Sequence, residues 1–189
     1  MVQAAVLFYG PVALVSYLVL LWRHGWELFH PAPGWFFWSV VACAIGLLTC
    51  WLSKVFLGQF SWAKDMESEF LNVLGPITVA EVAVLAGTSS IAEEAFFRGV
   101  LQPWLGIFYA TVIFAAVHVP MSKKLLAWPI FALTIGFVLG WLLLASGSLI
   151  PPIVMHATIN GLNLYVIGQR ARELGIPRRA FPPDPDERF

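Results

Sequence analysis

Apolar residues run through this chain in long blocks separated by short polar breaks, and most blocks have the length of a membrane helix. Crossing the hydrocarbon takes about 20 mostly apolar helical residues, with a range of roughly 17 to 25. On that measure residues 4–22 and 35–52 predict the first two spans. Between them, residues 23–34 hold His24, Glu27, His30, Pro31 and Pro33 and predict a short wet loop. A second polar stretch, 58–69, carries Lys64, Asp65, Glu67 and Glu69. Residues 70–86 predict a third span, ended by the breaker run Gly87, Thr88, Ser89, Ser90. Two shorter apolar segments follow, 91–105 and 107–119, divided near Gly106 and closed by Pro120. Residues 125–145 predict a strong span, 146–152 a turn and 153–167 the last apolar segment. The Arg- and Pro-rich remainder, 169–189, predicts a wet, disordered tail. The first block lacks a basic start and a small-residue cleavage site ahead of a soluble domain, so it is expected to stay as a membrane helix. Together the blocks predict an all-α polytopic membrane protein, with about six to eight transmembrane helices around a central polar cavity.

Composition supplies the solvent and removes partners. Of 189 residues, 59% are hydrophobic and 12% charged, where a soluble domain would carry about a quarter charged. Lipid is therefore the main solvent. A soluble enzyme, a disordered chain and a nucleic-acid binder with a basic face are all excluded. The 11 basic and 11 acidic residues cancel, so net charge calls for no polyanionic partner. Loop Lys and Arg set an orientation. With the N-terminus outside and about seven crossings, Arg23, Lys123, Lys124, Arg170, Arg172, Arg178 and Arg179 fall on the inner side and Lys54 and Lys64 outside. A cytosolic C-terminus follows. The shortness of 91–105 and 107–119 leaves a partly re-entrant course open. Cys43 and Cys50 would lie roughly 10 Å apart along one helix, beyond the reach of a disulfide. With no ligand pair nearby, both read as small lipid-embedded side chains.

Ionisable side chains at membrane depth cost about 2.5 to 3.5 kcal/mol each on insertion scales, so they mark a partner or a function. Glu81, Glu93, Glu94, Arg98, His118 and His156 stand in apolar segments. On a helix Glu94 and Arg98 meet as an i, i+4 ion pair. Glu93 points about 100° away from Glu94 and has no partner on its own helix. An unneutralised, desolvated carboxylate is suited to act as a base near neutral pH. The alternative for Glu93 is a capping box with Ser90, which leaves Glu94 and Arg98 unexplained. His118 closes its segment and reads as interfacial or catalytic. His156 and Asn160 stand one turn apart on one face, where they either look into a cavity or serve as interhelical hydrogen-bond glue. Glu81, with apolar Leu85 at i+4, reads as structural or interfacial.

The ordered set Glu93-Glu94-Ala-Phe-Phe-Arg98, then Phe114-Ala-Ala-Val-His118, then His156-Ala-Thr-Ile-Asn160 resembles the CPBP family. These are the CAAX-protease and bacteriocin-processing proteins, also called Abi or type II CAAX prenyl endopeptidases, which are glutamic intramembrane proteases. The flanks at residues 97–102 and 147–152 are similar to the family pattern, and the resemblance covers roughly residues 88–164. It implies a catalytic helical core over 88–168, preceded by N-terminal membrane helices over 1–87 and followed by a cytosolic tail over 169–189. It further implies peptide hydrolysis with no metal or other cofactor, acting on a peptide or protein substrate within the lipid bilayer, with no nucleic-acid partner. By resemblance Glu93 activates water, His118 assists it, His156 and Asn160 form an oxyanion hole, and Glu94 with Arg98 organises the helix.

The compact chain has little extra machinery to hold a prenyl group. A bacterial inner-membrane role, maturing a small exported peptide or cutting a C-terminal sorting tail, is the expectation. Two rivals remain at this point. Glu93, His118 and His156 could ligate Zn²⁺, although His-Glu-x-x-His is absent. The same polar set could also pack a non-catalytic immunity or scaffold protein.

Overall fold

The computed structural model describes residues 2–24, 32–120 and 122–178. In chain order they form α1 (Val2–His24), α2 (Trp35–Gln59), α3 (Ser61–Leu74), α4 (Val79–Glu93), a π-helical segment (Glu94–Leu101), α5 (Gln102–Val117), a 3-10 turn (Lys123–Leu125), α6 (Ala127–Ser146) and α7 (Ile150–Glu173). Five helical stretches are long and apolar enough to cross a membrane, the third being the 39-residue run Val79–Val117. Outward-facing Leu7, Phe8, Trp22, Phe36 and Ile130 give them an apolar exterior. The all-α polytopic architecture expected from the hydrophobic blocks is the one observed.

The long third stretch doubles back on itself. Gly106 has φ 77° and ψ 167°, a backbone conformation that residues with a Cβ rarely adopt, and the chain reverses there as the segmentation anticipated. Pairs across the reversal fix its register: Phe97 meets Phe114 with ring centroids 5.0 Å apart, and Glu93 faces His118. Counting the hairpin as two, the bundle makes six helical passes. Helix α6 returns along α5, with Trp128 beside His118 and Gly136 beside Thr111 and Phe114. Helix α7 returns along α4, with Asn160 on Ser89 and Arg172 donating to the Ile77 carbonyl. Helix α1 runs parallel to α4 and the π segment, its Leu20 against Gly99. Ala42, Cys50, Leu139, Leu142, Met155 and Ile159 form the main core between α2, α6 and α7.

Several expectations are corrected. Residues 70–86 are not one span: α3 ends at Leu74, Gly75 turns the chain at φ 59°, and α4 begins at Val79. The start of α4 carries a capping box between Thr78 and Glu81, and Arg178 pairs with Glu81, so Glu81 is structural, as read. The run Gly87–Ser90 does not break the helix. Thr88 Oγ1 donates to the Val84 carbonyl at 2.6 Å and Ser89 Oγ to that of Ala86 at 3.3 Å, so these two hydroxyls are satisfied inside the helix, while Ser90 Oγ is buried with no partner among the described residues. Ser90 and Glu93 therefore lie far from a helix start, and the capping-box reading of Glu93 falls. Cys50 is buried in protein, not lipid. Residues 169–173 continue α7. Loop residues Glu27, His30 and Pro31 and tail residues 179–189 lie outside the described residues.

The expected arrangement of the helix ends is corrected as well. Because α1 parallels α4 while α7 opposes it, the starts of α1 and α4, the end of α7 and the turn at Lys124 share one end of the bundle. Arg23, beside Trp104, lies at the other end. The start of α1 and the end of α7 therefore share a side. Helix α3 lies at the shared end, tied by Lys124 to Glu69 at 3.7 Å and by Arg170 to Glu67 at 3.1 Å.

Close approach of α7 to α4 depends on Gly168. A Cβ there would meet Ile77 Cγ1 at 2.8 Å and the Ile77 carbonyl at 3.0 Å. Backbone cannot rotate away as a side-chain tip can, so Gly168→Ala is expected to destabilise by about 1 to 3 kcal/mol, the usual cost of overpacking. A lowered thermal midpoint in detergent checks it.

Candidate active site

The site is built where four helices meet a π-helical distortion. At Glu94 the α4 hydrogen-bond ladder widens, and by its end the Gln102 N–H bonds the Phe97 carbonyl five residues back. Such segments recur at functional sites. The widened stretch carries Glu94 and Arg98, both almost wholly buried at 0% and 1% exposure.

Arg98 Nη1 donates to Glu94 Oε1 at 3.1 Å, so the i, i+4 pair forms. Arg98 Nη2 donates to the Gly136 carbonyl at 3.1 Å, and its guanidinium lies 4.3 Å from the Phe114 ring centroid. A charge-assisted hydrogen bond and a cation–π contact thus lock α6 and α5 to the π segment. Glu94 Oε1 also takes a 2.7 Å hydrogen bond from His156 Nδ1. His118 Nδ1 lies 2.7 Å from the Phe114 carbonyl, which can only accept. Both imidazoles therefore carry a proton on Nδ1 and turn Nε2 inward.

The two Nε2 atoms converge on Glu93. Its Oε2 is 3.7 Å from His118 Nε2 and 4.0 Å from His156 Nε2, and that oxygen is buried with no hydrogen-bond partner among the described residues. Both distances exceed a direct hydrogen bond. Asn160 Nδ2 donates to Ser89 Oγ at 3.1 Å; an amide nitrogen has two hydrogens, so one remains for another acceptor. Glu93, His118, His156 and Asn160 line one pocket of about 130 Å³ together with Tyr9, Ser89 and an aromatic wall of Phe114, Trp128 and Phe131. Among the described residues no three His, Cys, Asp or Glu side chains are grouped to hold a metal ion.

Glu93, Glu94, Arg98, His118, His156 and Asn160 therefore meet in one place, while Glu81 stands apart at the start of α4. Three others there were not foreseen. Ser89 was read as part of a breaker. Trp128, which packs edge-on against His118 with centroids 5.4 Å apart, was read as part of an apolar span. Tyr9 belongs to α1, in a block that carries no motif.

Residues 75–162 match the family model described as type II CAAX prenyl endopeptidase Rce1-like. Over 85 residues the chain is 34% identical to the uncharacterized protein YpbD of Bacillus subtilis (strain 168), a match covering 45% of this chain and 44% of that protein. The match spans less than half of that relative. No solved structure matches significantly. All six predicted residues fall inside the matched region, and the family resemblance read from the motifs is borne out over it.

Proposed function

We propose, from the match of residues 75–162 to the type II CAAX prenyl endopeptidase Rce1-like model, an endopeptidase of the glutamic type, in which Glu93 activates water. The observation that carries this reading is the Glu93 carboxylate, flanked by two inward-facing imidazole nitrogens at 3.7 and 4.0 Å. Gaps of this size suit a bridging water. Glu93 takes a proton as the water oxygen bonds to the scissile carbonyl carbon. The carbonyl oxygen becomes the oxyanion and accepts from Asn160 Nδ2 and from His156 Nε2 in its imidazolium form, whose Nδ1–H stays on Glu94. The C–N bond then breaks as the leaving nitrogen takes the proton from Glu93, with His118 assisting.

Residues 88–168 serve as the catalytic core, with 1–87 as supporting membrane helices. The end of the bundle that holds Lys64, Lys123, Lys124, Arg170, Arg172 and Arg178 faces the cytosol by the positive-inside rule, opposite Arg23. Both the start of α1 and the end of α7 are then cytosolic, in a bacterial inner membrane. The substrate is a small exported peptide or a C-terminal sorting tail, and the confined pocket suits a peptide unit with its water.

The test is cleavage of membrane-inserted peptides in proteoliposomes, read by mass spectrometry, with and without chelator. Cleavage that survives chelation is expected. Loss of activity on chelation and its return with zinc would favour the metal reading; no cleavage by wild type, with normal folding, would favour a scaffold. Asn160→Ala is expected to lower kcat by about 10² to 10³, the effect of one oxyanion donor, and to leave measurable turnover.

A further inference from the structure

Glu93 has no partner on its own helix, yet its carboxylate must be held in one orientation to serve both imidazoles. The groups facing it are His118 from α5, His156 from α7 and Tyr9 from α1, with the Glu94–Arg98 pair behind. The α6 residues Trp128 and Phe131 on the same wall carry no titratable group.

Tyr9 stands on the seam by which α1 packs onto α4 and the π segment. Residues 9, 13, 16 and 20 recur at helical spacing along it: Ala13 lies in a cleft with Thr88 and Ile91, and Ser16 and Leu20 are buried. The preceding Leu7 and Phe8 face outward. The seam thus turns Tyr9 inward, where it joins the pocket wall that Glu93 also lines. Tyr9 lies outside the family-matched region.

We propose that Tyr9 is a positioning residue for Glu93: its phenol donates a hydrogen bond to the carboxylate and holds it between His118 and His156. The role rests on Glu93 as the base. A phenol suits it, since a rigid ring crosses the helix interface at low entropic cost and presents one donor. Helix α1 is then part of the active site and not only a lipid-facing brace.

Two measurements separate this proposal from the peptidase reading. The chain has four tyrosines, so 3-fluorotyrosine labelling gives a fluorine NMR spectrum in which Tyr9→Phe identifies the Tyr9 resonance. Glu93→Gln is expected to shift that resonance and leave the others in place. This readout needs no substrate. In the proteoliposome assay with the same membrane-inserted peptide, Tyr9→Phe keeps the ring and the packing. It is expected to lower kcat about tenfold to a hundredfold at unchanged KM, the effect of one hydrogen bond to a charged group, and to add nothing in the Glu93→Gln background. A Tyr9 resonance indifferent to Glu93→Gln overturns the proposal, as does a Tyr9→Phe protein that raises KM alone or turns over like wild type. A shifted resonance in a wild-type protein that cleaves nothing sustains the pairing and sinks the peptidase reading instead.

Discussion

Glu93→Gln is expected to remove peptide hydrolysis while leaving the protein folded. Gln matches Glu in shape, and Oε2 of Glu93 is buried with no hydrogen-bond partner among the described residues, so the packing is kept. What disappears is the ability to take a proton. A positioned general base contributes about 10² to 10⁴ in rate, and no other carboxylate can step in, because Glu94 is already engaged by Arg98 and His156. Proteoliposome cleavage should fall by at least that factor, while the thermal midpoint in detergent stays within about a degree or two, as for a substitution that changes stability by under about 0.5 kcal/mol. Retention of more than a tenth of wild-type turnover would count against Glu93 as the base. A collapse of the midpoint would move Glu93 into the structural class.

The largest stability effect is expected at Arg98. Its partner Glu94 is 0% exposed, so Arg98→Ala leaves a carboxylate in the bundle interior with only His156 beside it. Breaking a buried pair from one side costs about 3 to 5 kcal/mol, a large share of the roughly 5 to 15 kcal/mol that holds a typical protein together. The bond to Gly136 and the contact with Phe114 go with it. Removing the charge as well should restore part of the loss, so Arg98→Ala with Glu94→Gln should melt above Arg98→Ala alone. Thermal unfolding of the two variants in one detergent decides the matter. Equal midpoints for wild type and Arg98→Ala would show that the pair holds nothing. Activity need not return in the double variant, since the charge that orients His156 Nδ1 is gone.

Much of the site was legible because ionisable residues are rare in this chain and costly at membrane depth. Helical spacing alone put Glu94 on Arg98 and freed Glu93. It could not say what Glu93 faces, since His118, His156 and Tyr9 arrive from three other helices. Hydropathy blocks located α1, α2 and α6 but erred at 70–86, where the apolar average hid Gly75 and the Thr78–Glu81 box. Both signals stand in the sequence, a positive-φ glycine candidate and a T-x-x-E cap. The parity of the crossings follows from the same segment: with 70–86 counted as a span, the start of α1 and the end of α7 fall on opposite sides, whereas they share one. The aromatic wall and Tyr9 carried no local signal, because an apolar ring looks alike whether it meets lipid or a pocket.

The reversal at Gly106 makes chain length part of the chemistry. Gly106 lies about midway in sequence between Glu93 and His118, and between Phe97 and Phe114, so the two arms are in phase. One residue added to either arm would swing His118 round by about 100° and shift it by about 1.5 Å relative to Glu93. The arms therefore tolerate exchange of side chains but not a change of count, whereas length added at the reversal itself keeps both in phase. Among related chains, the interval from the glutamate pair to the first histidine should vary only by insertions at that one point.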